Sequence, residues 1–392
     1  MPHDYLKLLR PNPGQTALLK AALLHGNEAR SAHLKWRKGV VLDDIDRASH
    51  RLLPLLAENL GRLEIEDPDM PRLRGIRRRQ LYHNRMLLHA VQPILVRLTE
   101  VGIPHLLLKG AAICATVRQD WSLRYLSDID ILVPARFAFE AWAELDRLGW
   151  RDAGGLQEPS DRRRMLDSIH SIGFRNLGGA EVDLHWRALA QLEYADQEAA
   201  FWRDSVSTSA GGIESRALSL EHLLFHVLAH GVLGARGESM DWIPDAHAIL
   251  MKVPRDHEWN DLLGFARQRS IAHILCAQLS WMRDELGAPV PEKLLARLAA
   301  SPVSWAEKTL AWGKLDRFAG VWMIRSRWHD REGEPVLRRV TTIWNDLARF
   351  YGAPAPLLPL YAGLRAARRA TKAFRSQRAV RPQPGKPVPP SL

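Results

Sequence analysis

Two aspartates one residue apart lie in an apolar run, Asp128 and Asp130 in YLSDIDILVP, residues 125–134. Ile129, Ile131, Leu132 and Val133 around them predict a buried strand. Strand side chains alternate faces, so both carboxylates are expected on one face, where like charges repel. A divalent cation would relieve that repulsion, and Mg²⁺ takes oxygen ligands from one or two carboxylates plus phosphates. A third acid, Asp183, lies in AEVDLHW between Val182 and Leu184, with His185 two residues on and on the same face. Three acids on two strands could hold two metals, one beside an attacking hydroxyl and one beside a triphosphate and its leaving group. A purely structural alternative has Asp128 capping a turn and Asp183 on the surface of an edge strand.

Several elements must position these residues. IPHLLLKG, residues 103–110, reads as a short strand ending at Lys109 and Gly110, followed by the helix AAICATVRQ. Gly110 would admit a phosphate to the backbone, the helix N–H groups favour an anion, and Lys109 adds a positive charge. The G-x-x-x-x-G-K-[ST] phosphate loop is absent there. RFAFEAWAELDRLGW predicts a helix, and HSIGFRNL and AEVDLHWRA predict strands joined at Gly178 and Gly179. Residues 103–190 thus form a unit of at least four strands and two helices.

Leucine spacing predicts helices from residue 15 to about 62, and EIEDPDMPRLRG breaks the pattern. A long helix follows, interrupted or kinked near Pro93. Ser219 is the expected N-cap of SLEHLLFHVLAHGVL, and later helices include HILCAQLSWMRDELG, PEKLLARLAA and LRRVTTIWNDLARFYG. The expected division is a helical region 1–102, a core 103–217, a helical domain 218–362 and a basic, proline-rich, disordered tail 363–392.

His222, His226 and His230 share one face of the helix after Ser219. Spacing of four suits a metal, but H-E-x-x-H is absent. The structural alternative pairs these histidines with acids such as Asp241 and Asp245. A third reading brings His226 or His230 to the cleft to bind phosphate or acceptor.

Of the eleven surplus positive charges in the 392 residues, eight lie in 363–392, which holds no acid. The remaining body is too mildly basic for a dedicated nucleic-acid binder. The tail could touch an acidic partner or remain a solvated extension. Two widely separated cysteines, Cys114 and Cys276, argue against a disulfide framework and fit a reducing compartment. The N-terminus lacks a signal-peptide segment, and no apolar run is long enough to span a bilayer. The expected location is cytoplasmic.

Strand–Lys-Gly–helix, then LRYLSDIDILV, then EVDLHW resembles the uncharacterised nucleotidyltransferase family often found in bacteria, a branch of the polymerase-β-like superfamily. The likeness extends over roughly residues 15–280, taking in the lead-in from His33 and the stretch LLFHVLAHG with DWIPDAHAIL. The superfamily usually shows Gly-Ser or Gly-Gly at the nucleotide turn, whereas this chain has Lys109-Gly110-Ala111, as in the branch it resembles. The resemblance implies an α+β fold with a small mixed-sheet core between helical regions. It implies Asp128 and Asp130 as the metal pair, Asp183 as the third carboxylate helping to deprotonate an acceptor hydroxyl, and Lys109 and Gly110 at the nucleotide. Arg124 meets phosphate or pairs with a local acid, and His185, His226 and His230 are candidate acceptor or phosphate contacts. The implied activity is Mg²⁺-dependent, with Mn²⁺ as a substitute, moving a nucleotidyl group from an NTP, ATP foremost, with release of pyrophosphate. The acceptor is open; a small molecule, peptide or protein is favoured over nucleic acid. Two other readings are a degenerate fold serving as nucleotide sensor or scaffold, and a kinase-like or phosphohydrolase use of the same acids.

Overall fold

The computed structural model describes residues 11–153, 155, 158–189, 195–233 and 240–303, with isolated positions between 335 and 356. The chain divides into two units, Met1–Phe318 and Ala319–Leu392. All elements below belong to the first; the expected basic tail and most of LRRVTTIWNDLARFYG lie outside the described residues.

Four helices come first: α1 Pro13–Leu23, α2 Gly26–Arg37, α3 Arg47–Arg62 and α4 Met70–Glu100. Their starts follow local chemistry. Asn12 and Gln15 form a reciprocal capping box on α1, and Asp46 accepts from the Ser49 amide on α3. The proline-rich stretch before α4 delays the helix less than the sequence predicts. Pro71 falls in its first turn, where a missing N–H costs nothing, so α4 begins at Met70. It then runs on through Pro93 to Glu100 as one helix.

The core follows: β1 Leu106–Leu107, α5 Lys109–Ala112, β2 Ile129–Leu132, α6 Ala138–Arg147, β3 Arg151–Asp152, α7 Pro159–Ser168, β4 Ser171–Arg175, β5 Glu181–His185, α8 Ala195–Arg203, β6 Val206–Ala210 and β7 Ile213–Ala217. α5 continues as a π-helical turn over Ile113–Arg118 and stops at Gln119 with φ +56°. The strands form one mixed sheet in the order β3-β4-β5-β2-β1-β7-β6. β2 pairs parallel with β5, and β1 parallel with β7; the other neighbours are antiparallel. The β4–β5 hairpin turns at Gly178 and Gly179, where Gly179 has φ +80° and Asn176 caps the Ala180 amide through its side chain.

Ile129, Ile131 and Leu132 are fully buried at the centre of this sheet. Each contributes about 1.5–3 kcal/mol of burial free energy, which holds β2 in place although it carries a charge. α4 packs against β2, β7 and α6, and α5 packs against β2 and α9. The C-terminal helices are α9 Leu220–Leu233, α10 Trp242–Leu250, α11 Asn260–Gln268, α12 Ala272–Leu286 and α13 Glu292–Ala299. Ser219 caps α9 through its hydroxyl and its carbonyl. No described helix is long and apolar enough to cross a membrane. Cys114 is buried, Cys276 is partly buried, and neither is in a disulfide.

Candidate active site

The parallel register of β2 and β5 sets Asp130 directly opposite Asp183. The antiparallel register of β4 and β5 sets Gly173 opposite Asp183 and Ser171 opposite His185. A Cβ at Gly173 would meet nothing within 4 Å, so that flank of Asp183 is open. Asp130 is 5% exposed at its side chain and Asp183 21%, so the two carboxylates differ in access from solvent.

Two donors hold the pair. His185 Nε2 lies 3.0 Å from Asp130 Oδ1 and 3.0 Å from Asp183 Oδ2. Lys109 Nζ lies 2.5 Å from Asp130 Oδ1 and 4.0 Å from Asp183 Oδ2. The Ser171 hydroxyl donates to Asp183 Oδ2 at 3.2 Å. Burial opposes ionisation of Asp130, but Lys109 and His185 outweigh it and hold its pKa far below the usual carboxylate range. Asp183 is likewise lowered, against burial, by His185. Burial disfavours the His185 imidazolium, yet its bonds to Asp130 and Asp183 raise its pKa overall. Nε2 is the nitrogen near both carboxylates, and Nδ1 is buried without a hydrogen-bond partner among the described residues.

Asp128 stands just before β2, half-buried, and accepts a hydrogen bond from its neighbour Ser127. Burial and the charge of Asp130 push its pKa up to about 6. The repulsion expected from the sequence is therefore expressed at Asp128, while Asp130 is neutralised by Lys109 and His185.

Lys109 opens α5 directly after β1, with φ +45°, a left-handed conformation uncommon outside glycine. At Gly110 a Cβ would come within 2.4 Å of Leu126 Cδ2. That glycine is required by the close approach of Leu126 to the turn.

Of the remaining predicted residues, Arg124 comes to the Gly110 turn, its guanidinium carbon 3.7 Å from where a Cβ on that glycine would stand. Arg124 is partly exposed and sits in an ion-pair cluster, its Nε 2.9 Å from Asp245 and its Nη1 3.2 Å from Asp241. Arg51 also reaches Asp241, at 2.5 Å. The acids suggested as partners of the histidine stripe are thus taken by arginines. His222 pairs instead with Asp261 at 2.9 Å, and His226 Nε2 with the Ala188 carbonyl at 2.9 Å. Burial pushes His226 down to about 3 and His230 to about 4; the Lys109 charge contributes to the second. The stripe does not converge on one point.

His170 and Ser171 escaped the sequence reading. The His170 and His185 rings meet edge to face at 5.5 Å, and burial with the His185 charge takes His170 down to about 3. The signal was the hairpin itself: counting back from the Gly178-Gly179 turn brings residue 171 opposite 185.

Asp130, Asp183 and His185 gather three ligand atoms within 4.8 Å of one another. The carboxylate oxygens of this set suit a divalent cation, with the imidazole orienting them from the side.

Residues 47–287 match the family described as uncharacterised nucleotidyltransferases, and the chain belongs to that family. No curated protein sequence matches it. Solved structures that align with it include two nucleotidyltransferase-like proteins. The solution structure of the antibiotic-resistance factor ANT(2'')-Ia covers 49% of this chain and 97% of its own, at 16% identity and a TM-score of 0.36. The crystal structure of an antigenic nucleotidyltransferase-like protein from Paracoccidioides brasiliensis covers 52% and 92%, at 16% identity and a TM-score of 0.33.

Proposed function

We propose that the chain is a cytoplasmic, Mg²⁺-dependent nucleotidyltransferase that moves a nucleotidyl group from an NTP, ATP foremost, to an acceptor hydroxyl or phosphate and releases pyrophosphate. The observation that carries this reading is the Asp130–Asp183 register pair on adjacent parallel strands, with Lys109 beside it at a strand–helix turn. Asp128, Asp130 and Asp183 would hold the metal, which supplies neutralising charge for the triphosphate and its leaving group. His185 fixes the two paired carboxylates through one nitrogen and keeps them ionised. Lys109 supplies a positive charge for phosphate oxygens. Asp183 is the more exposed of the pair and has an open flank at Gly173, so we assign to it proton removal from the acceptor. Positioning and electrostatics carry the chemistry. The mild charge of the body favours a small molecule, peptide or protein as acceptor over nucleic acid.

The test is incubation with α-phosphate-labelled NTPs and a cell extract, then mass identification of the labelled species. Label retained on an acceptor together with pyrophosphate release supports the reading. Label appearing only as nucleoside mono- or diphosphate, with no labelled acceptor, defeats it.

A further inference from the structure

The place between the two paired carboxylates is served by a cation of the chain's own. Lys109 Nζ lies 2.5 Å from Asp130 Oδ1 and 4.0 Å from Asp183 Oδ2, on the oxygens a divalent ion would use. His185 Nε2 bridges the same two carboxylates. An ammonium and a divalent ion cannot both sit against Asp130 Oδ1 without strong like-charge repulsion. Lys109 can leave: it is partly exposed, on a four-carbon stem, at a turn facing the site. It leaves a buried carboxylate only if its charge finds another anion, and a triphosphate is one.

We propose that Lys109 closes the carboxylate site to free divalent cations, so that the metal enters together with the NTP. This rests on the nucleotidyl-transfer reading. The triphosphate draws the ammonium off Asp130 and so opens that oxygen to the metal it brings. Free metal offers Lys109 no such exchange and competes against an ion pair already made. Binding is then cooperative in the thermodynamic sense: nucleotide raises metal affinity and metal raises nucleotide affinity by the same factor.

The test is Mn²⁺ binding, read by the loss of the free-ion paramagnetic resonance signal, with and without a non-hydrolysable ATP analogue whose own Mn²⁺ binding is subtracted. Wild-type protein should bind Mn²⁺ weakly alone and at least about tenfold more tightly with the analogue. Lys109→Gln keeps a donor for Asp130 and removes the charge; it should bind Mn²⁺ alone about tenfold more tightly than wild type, and the gain from the analogue should shrink. Lys109→Arg keeps the charge and should exclude free Mn²⁺ as wild type does. If Lys109→Gln does not fold, the wild-type protein alone decides: Mn²⁺ affinity equal with and without the analogue overturns the proposal. A folded Lys109→Gln with wild-type affinity for free Mn²⁺ also overturns it, and leaves nucleotidyl transfer standing if wild type binds Mn²⁺ with the analogue. Failure of wild type to bind Mn²⁺ in the presence of the analogue takes down both.

Discussion

A histidine and two aspartates meet twice among the described residues: Asp130, Asp183 and His185 on the sheet, and Asp204, His222 and Asp261 among the helices. The donor types are the same and the surroundings differ. In the first, both acids stand in register on paired strands, mostly buried, with Lys109 beside them. In the second, Asp204 and Asp261 are 36% and 42% exposed, and Asp204 gives both oxygens to its chain neighbour Arg203. His222 packs against the rings of Phe201 and Phe265, which also pack on each other, and sends only Nε2 to Asp261. Residue types alone do not make a site. Burial, which raises the strength of each charge interaction, and a rigid support that fixes the oxygens do.

Asp130→Asn should separate the two clusters most. Transfer should fall about a thousandfold, the upper range for losing one preorganised electrostatic partner. The sequence alone suggests that removing one of two adjacent carboxylates would relieve repulsion and stabilise the fold. The structure reverses that expectation, because Asp130 is the partner of both Lys109 and His185. Leaving those groups underpaired in the interior should cost about 3 kcal/mol or more. Label transfer and chemical denaturation measure the two losses. A variant as active and as stable as wild type would put the two clusters on the same footing.

Asp183→Asn comes next. It retains a group for Ser171 and His185 and removes the carboxylate we assign to proton transfer. Turnover should fall on the order of a hundredfold with nucleotide affinity nearly unchanged, the scale of losing general-base help. Calorimetry with a non-hydrolysable NTP and single-turnover kinetics separate the two. Loss of affinity with the chemical step intact would make Asp183 a nucleotide-side ligand.

The site was legible where its residues interrupt an apolar strand pattern. Asp130 and Asp183 show as acids in IDILV and EVDLH because a charge there is out of place unless it works. The relation between them was not legible, since pairing of β2 with β5 is long-range and leaves no local trace. Nor was the fate of Arg124: its acids, Asp241 and Asp245, lie more than a hundred residues on. The β6–β7 hairpin was missed because VSTSA and IESRA carry few apolar residues, and β6 runs largely exposed along the sheet's edge with β7 between it and β1. In α4 the prolines read as breaks, and only the start of the helix at Met70 shows one of them to be a first-turn residue.

Two buried histidines respond to pH in opposite directions. His185, between two carboxylates, has its pKa raised; His226, on a backbone carbonyl, is depressed to about 3. A folded-state pKa below the unfolded value means the unfolded chain binds the extra proton between those two pH values. The His226 contribution is therefore complete above pH ~6.5 and is lost as pH falls toward 3. Going from pH 8 to pH 5, it should remove about 2 kcal/mol from the folded state. His226→Gln retains a donor for Ala188 and should lose about that much less than wild type over the same interval. Urea unfolding at the two pH values shows it. Equal losses in both proteins would mean that His226 is not held neutral by its burial.

The smallest effect is expected at the second cluster. Asp261 is 42% exposed at its side chain, so its pairing with His222 is screened by water and salt. His222 is held in place by Phe201 and Phe265 whether or not Asp261 is charged. An asparagine there still offers an oxygen to Nε2. Asp261→Asn should therefore change stability by less than about 1 kcal/mol and leave transfer unchanged. The contrast with Asp130→Asn is the point of the pair: the same substitution, each time at an aspartate bonded to a histidine, one inside a strand and one at a helix start. Parallel assays of label transfer and urea unfolding on the two variants test it directly. A tenfold loss of transfer in Asp261→Asn would show that the helical cluster reaches the reaction, and exposure would then be the wrong criterion for telling the two apart.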